Sequence, residues 1–439
     1  MKFPMSFGEY FHFLLGLSLL FPAFSLLTIG RTTGIQPTLI LAAICGALRF
    51  LTRSRRIEPK LLILLAIWFA GMVASVAGQG FASMHVNPMI VYCTNLAIIG
   101  FFAINPGDSN LNSFNDSLKT GFIAGALISA IYAAYQQIAN VQGLPFSIPA
   151  LNNPSYALYS DVEFIRNFRS YAFCPEPSVL AALLISSLCL VMSRLVYGLG
   201  SIPGNVGMII VMLFGLLASG SFSLVISLPL ALAAVFFGQL SNFRRWSRHL
   251  AIVASLIAIS SLIILVWQPA QDQFLKVWDR ASESVDDDSL IIRVGAVIGA
   301  VEMFKEYPIF GAGVIPKPDE FVQFLPVESL ATEVARGVGS VGLGILMGHG
   351  LVGTLCYLVL MGWALKRSRQ DPEINGALIG ILVPMNIQVG YETIYALWVI
   401  IGLSFSLSKV QKKEGSRLMR TPTPDPVRSK RTPSLGSQF

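Results

Sequence analysis

Apolar stretches long enough to cross a bilayer recur along nearly the whole chain. A transmembrane helix needs about 20 such residues, and stretches of this kind run from Leu14 to Leu407 with only two long interruptions. The pattern predicts an all-α, polytopic transmembrane helical bundle. Twelve candidate spans fall near 11–30, 35–51, 61–78, 86–105, 119–138, 177–196, 205–219, 221–239, 249–268, 338–365, 374–389 and 391–408. The first stretch, Phe11 to Gly30, is longer than a signal-peptide core and lacks a clear small-residue cleavage site, so it reads as a retained helix. Residues 1–408 form a single transmembrane domain, and residues 409–439 form a basic tail. From Glu414 onward that tail is rich in Pro, Ser, Thr and basic residues, cannot bury a core, and is expected to be disordered and weakly attracted to anionic lipid.

Composition fits this pattern. Only 13% of the residues are charged, against about 25% in soluble domains, and the mean hydropathy is +0.65. The formal charge of +7 does not call for nucleic acid, because the positives cluster in short loops beside spans, as the positive-inside rule requires. Arg53, Arg55, Arg56 and Lys60 follow the second span. Arg244, Arg245 and Arg248 follow the eighth, beside His249, and Lys366, Arg367 and Arg369 follow the tenth. Each cluster follows an even-numbered span, which places both termini in the cytoplasm. The two long loops, 139–176 and 269–337, then face outward.

The second loop carries twelve acids against six bases, so its arginines are not topogenic signals and need partners or ligands. Asp288 or Ser289 can cap a helix that runs to Glu306 and is stopped by Pro308. Gly295 and Gly299, four apart, give that surface helix a smooth face for close packing on a membrane helix. Arg293 stands among Leu290, Ile291, Ile292 and Val294, where a charge without a ligand is hard to justify. Arg280 and Arg336 are further candidates, although Arg336 can simply pair with Glu333.

The first loop ends in Arg166-Asn-Phe-Arg169-Ser-Tyr171-Ala-Phe-Cys-Pro-Glu176-Pro-Ser178. Arginine's planar fork of donors can hold diphosphate oxygens in bidentate fashion. A fixed guanidinium also stabilises the charge that develops as a diphosphate leaves. Arg169 can equally pair with Glu163 or Glu176, or reach lipid headgroups. Glu176 sits between two prolines just before a span, with Ser178 a candidate cap. A partly desolvated carboxylate there could accept a proton from an acceptor hydroxyl; it could equally favour the helix dipole.

Other residues add little. Cys45, Cys93, Cys174, Cys189 and Cys356 suggest no disulfide framework, and four dispersed histidines give no zinc spacing. The Asp286-Asp287-Asp288 run could attract a hard cation, but consecutive side chains diverge and capping accounts for one of them. His349 is expected to be a packed, hydrogen-bonded residue in the cytoplasmic half of the tenth span. Glu392, with Asn386 and Gln388 nearby, is a weak candidate at an outward turn.

Three segments together resemble the O-antigen polymerase and O-antigen ligase family of membrane glycosyltransferases. They are Arg169 to Ser178; Arg293 with Glu302-Met-Phe-Lys-Glu-Tyr-Pro-Ile-Phe-Gly-Ala-Gly313; and Gly344-Ile-Leu-Met-Gly-His-Gly-Leu-Val-Gly353. The resemblance covers about 160 to 365. It implies a GT-C-like helical fold, an undecaprenyl-diphosphate-linked oligosaccharide as donor, inversion at the transferred sugar, no metal or other cofactor, and diphosphate contacts from Arg169 and Arg293. Arg166, Tyr171, Arg280 and Arg336 are candidate substrate contacts, and a chain-length regulator is an expected partner. Ligases carry a histidine at the start of the span ending in Gly-Leu-Val-Gly, where this chain has Gly339 and Ser340; the departure points toward a polymerase. A transporter fits twelve spans with both ends inside, but a long outer loop with its own helix is unusual for a carrier. A lipid-linked sugar flippase needs cations at mid-membrane depth, where this chain has almost none.

Overall fold

The computed structural model describes residues 5–29, 33–51, 57–79, 86–104, 110–146, 168–221, 226–237, 288–314, 321, 323–324, 340–387 and 393–407. Twelve helices occur among them: α1 Phe7–Ser18, α2 Pro37–Leu51, α3 Pro59–Gly78, α4 Val86–Phe102, α5 Asn110–Gln142, α6 Pro177–Tyr197, α7 Ile202–Ser219, α8 Ser227–Phe237, α9 Asp288–Glu306, α10 Val341–Ser368, α11 Pro372–Ile387 and α12 Tyr395–Ser406. Five of them (α3, α5, α6, α7 and α10) are long and apolar enough to cross a membrane, and α2, α4, α8 and α12 are shorter apolar helices. The ninth expected span, 249–268, the tail and Glu392 lie outside the described residues.

The first expected span is corrected. α1 stops at Ser18 because Pro22, four residues on, lacks an N–H and its ring would strike the Ser18 carbonyl. The chain then forms an antiparallel pair of strands, β1 Leu27–Ile29 and β2 Thr33–Ile35, with Thr28 opposite Gly34. Thr and Ile suit such a pair better than a helix. This ribbon is the one departure from an all-helical architecture among the described residues.

Helix α6 lies at the centre, buried around nearly its whole circumference, with α5, α7, α8 and α11 packed on it. Lipid tails are as apolar as leucine, so close backbone approach has to supply much of the helix adhesion. Glycines provide it. A Cβ on Gly16 or Gly121 would overlap a backbone carbonyl across the α1–α5 contact, and one on Gly376 or Gly380 would overlap α6.

The polar residues gather at two ends. At one end Arg49, with no exposed surface, donates to His12 Nε2 (3.1 Å), the Phe102 carbonyl (3.4 Å) and Asn115 Oδ1 (2.7 Å). It also sits over the Phe102 ring at 4.9 Å. Close by in sequence, Lys119 pairs with Asp116 (2.9 Å), Asp371 (3.2 Å) and Glu373, and Glu373 also takes Arg194 at 2.9 Å. Arg367 pairs with Glu58. These residues belong to the middle of α1, the ends of α2, α4, α6 and α10, and the starts of α3, α5 and α11.

Candidate functional site

The opposite end holds the segment that carries Arg169. Three elements fix it. The Ser170 amide donates to the Ala218 carbonyl (3.2 Å) and its hydroxyl to the Ala133 carbonyl (2.7 Å). Gln136 Oε1 accepts from the amides of Tyr171 (3.2 Å) and Ala172 (2.8 Å). The Ala23 amide donates to the Phe173 carbonyl at 3.1 Å, while the Phe173 ring stacks on Tyr132 and meets Phe21 edge-on. The segment is therefore held by α5, α7 and the turn after α1.

Arg169 is half-buried, and its Nε donates to the Ser219 carbonyl at 3.4 Å. Ser219 ends α7, where unpaired carbonyls and the negative end of the helix dipole favour a cation. Tyr171 is half-buried beside it.

Glu176 is the N-cap of α6, in an extended conformation with Pro177 at the first helical position. The expectation that Ser178 caps the helix is corrected: proline sets the helix start one residue after Glu176, and the Ser178 hydroxyl instead donates to the Glu176 carboxylate. Cys174 is fully buried, and desolvation, with the Glu176 charge nearby, pushes its thiol well above the usual range. A nucleophilic thiolate there is disfavoured.

Helix α9 runs from Asp288 to Glu306, ends before Pro308, and packs on α10. Gly295, Ala296, Gly299, Ala300 and Met303 are buried on one face, while Val297, Ile298 and Val301 are exposed. Arg293 is on this helix, with its side chain outside the described residues, as are Arg166, Arg280 and Arg336. Among the described residues no group of three His, Cys, Asp or Glu side chains could hold a metal ion.

The chain after α9 locks into α10. At Gly350 the backbone leaves helical geometry (φ 59, ψ −155), a conformation natural only to glycine. The break frees the Leu351 and Val352 amides, which donate to the carbonyls of Pro308 (2.8 Å) and Ile309 (3.1 Å); the Met347 carbonyl accepts from the Ala312 amide (2.8 Å). Ser75 of α3 completes the joint. Its hydroxyl donates to the Gly348 carbonyl (3.0 Å) and accepts from the Gly313 amide (3.0 Å). Broken helices within a membrane persist only where such freed groups find protein partners. A Cβ on Gly311, Gly348 or Gly350 would overlap facing backbone, so the two glycine-containing segments are fitted to each other.

His349, 1% exposed, accepts from Trp68 Nε1 at 2.9 Å through Nδ1 and packs against Tyr92. Its packed role is as expected, and it falls nine residues into a 28-residue helix, nearer the Ser340 end than the Ser368 end. Ser340 itself caps α10, accepting from the Leu343 amide and donating to the Asn386 carbonyl (2.7 Å).

Sequence reasoning passed over Gln136, Ser75 and Trp68. Each lies within an apolar helix, and its partner is well separated along the chain.

Residues 207–358, about a third of the chain, match a family model described as O-antigen ligase. The matched stretch begins in α7 and ends in α10, so it contains Arg293 and the glycine lock but not Arg169. No curated protein matches the chain. The match supports a membrane protein of the O-antigen ligase and polymerase type and does not separate the two activities.

Proposed function

We propose that this protein is a membrane glycosyltransferase that polymerises surface polysaccharide, moving a glycan from undecaprenyl diphosphate to the acceptor sugar of another lipid-linked repeat unit. The observation that carries this reading is the lock between Pro308–Gly313 and Gly348–Val352. Two of the three segments on which the resemblance rests form one continuous joint, inside the stretch that the family model matches.

In this reading the acceptor hydroxyl attacks the anomeric carbon of the donor. The bond to the diphosphate breaks with inversion, the diphosphate leaves with the electron pair, and the hydroxyl proton passes to Glu176. Arg169 and Arg293 neutralise the leaving diphosphate, which gains charge in the transition state; arginines held in place stabilise that state above the ground state. Arg166, Tyr171, Arg280 and Arg336 contact the donor, and a chain-length regulator binds the assembly. The site faces the periplasm from the inner membrane, with both termini cytoplasmic.

Polymerase is preferred over ligase because Ser340, where ligases carry histidine, is committed to capping α10 and to the Asn386 carbonyl. The ligase reading is favoured by the description of the matching family. Deleting the gene in its host and separating surface polysaccharide on a gel decides between them. A ladder collapsed to single repeats is the expected result. Polymer still made but absent from the lipid core indicates a ligase, and an unchanged pattern overturns both.

A further inference from the structure

We infer that Gln136 is a positioning residue that holds the Arg169 strand in a conformation it would not keep alone. The inference rests on the functional reading of Arg169 and extends it to a residue on another element. Ala172 has φ +48, the one non-glycine residue with positive φ among the described residues. Such a backbone is unfavourable for any residue with a Cβ and persists where its surroundings over-determine it.

Gln136 supplies that constraint. It is 1% exposed, and its Oε1 receives two consecutive amides, Tyr171 at 3.2 Å and Ala172 at 2.8 Å. These two donors fix which way the side-chain amide faces, because its NH₂ group cannot accept them. In that orientation Nε2 is buried with no hydrogen-bond partner among the described residues, an unfavourable arrangement that is kept to hold the strand. The neighbouring Gln137 donates from Nε2 to the Ala218 carbonyl (2.7 Å), the same oxygen that receives the Ser170 amide. Two successive glutamines at the end of α5 thus tie down the strand and the helix end that Arg169 caps. With its backbone fixed on both sides of Ser170, Arg169 has little freedom beyond its own side chain. A misplacement of about 1 Å can reduce a rate a hundredfold.

The test uses the full-length protein in lipid nanodiscs for amide exchange, and a host lacking the native gene for the polysaccharide ladder, with each ladder normalised to protein abundance. Gln136→Leu should speed exchange of the Tyr171 and Ala172 amides and reduce polymer at least about tenfold. Gln136→Glu keeps an acceptor of the same reach and should keep both the protection and the ladder. Combining Gln136→Leu with Ala172→Gly, which adopts φ +48 without strain, should recover part of the lost polymer. If Gln136→Leu does not accumulate, Gln136→Asn, too short to reach both amides, takes its place against Gln136→Glu. Unchanged exchange in the Leu or Asn variant overturns the inference, as does faster exchange with an undiminished ladder. Arg169→Ala is run alongside, and a full ladder from it overturns the functional reading as well. Exchange reports on the Gln136 contact whether or not polymer is made, so the two failures are distinct.

Discussion

Arg169 has a structural duty and a proposed chemical one, and substitution separates them. The Ser219 carbonyl loses a charged partner in Arg169→Ala, a change worth about 1.5–3 kcal/mol and too small to unfold the bundle alone. Arg169→Ala and Arg293→Ala are each expected to abolish polymer at normal protein abundance, read on a gel; wild-type polymer from either removes that arginine from the mechanism. Cys174→Ala should leave the ladder intact, because a buried thiol held in its neutral form contributes packing and one weak donation to the Leu20 carbonyl (3.9 Å). Loss of polymer at normal abundance would show that the thiol matters. Arg280, Arg293 and Arg336 stand out in the sequence as bases in an acidic stretch, and Arg166 and Arg169 as a pair of bases just before a span. The Arg169 contact with the end of α7 was not legible there, since Ser219 lies fifty residues away and no local spacing encodes it. His12 looked like a dispersed histidine for the same reason, although it meets Arg49 across 37 residues.

At the scale of elements, the end of α9 at Glu306 was readable because an apolar run and a proline stop agree, while its start falls at Asp288, a residue the sequence offered as a cap. The broken helix was not readable. The Gly348-His-Gly350 sequence reads as part of an ordinary membrane span, since nothing in an apolar stretch announces that its amides will be taken by Pro308 and Ile309. The end of α1 was missed because apolar length was weighed above the proline at position 22. Gly350→Ala should prevent accumulation of folded protein, as both the positive φ and the facing Gly311 amide exclude a Cβ. Ser75→Ala is the milder probe. It strips partners from the Gly348 carbonyl and the Gly313 amide and should cost about 1–3 kcal/mol, read as a lowered unfolding temperature. An unchanged temperature would mean that Ser75 does not secure the joint.

At the scale of the molecule, charge counting along the chain assigns connections to two sides, and the ion pairs Lys119–Asp371, Arg194–Glu373 and Arg367–Glu58 join helix ends from connections that it puts on one side. What charge counting could not supply was the pairing itself, because Lys119, Asp371 and Glu373 come from helices some 250 residues apart. Glu373→Ala should be destabilising, by about 1–3 kcal/mol, because Arg194 loses the Glu373 carboxylate and Lys119 keeps only Asp116 and Asp371. Its abundance and thermal unfolding in detergent check this, and near-wild-type unfolding would show the network to be dispensable.

The joint between α9 and α10 also imposes an order on biogenesis. Pro308, Ile309 and Ala312 leave the ribosome before Met347, Leu351 and Val352 do, so their mates are not yet available when they emerge. This stretch must wait in water or headgroups until α10 is inserted, and a nascent chain released before residue 352 could never seat it.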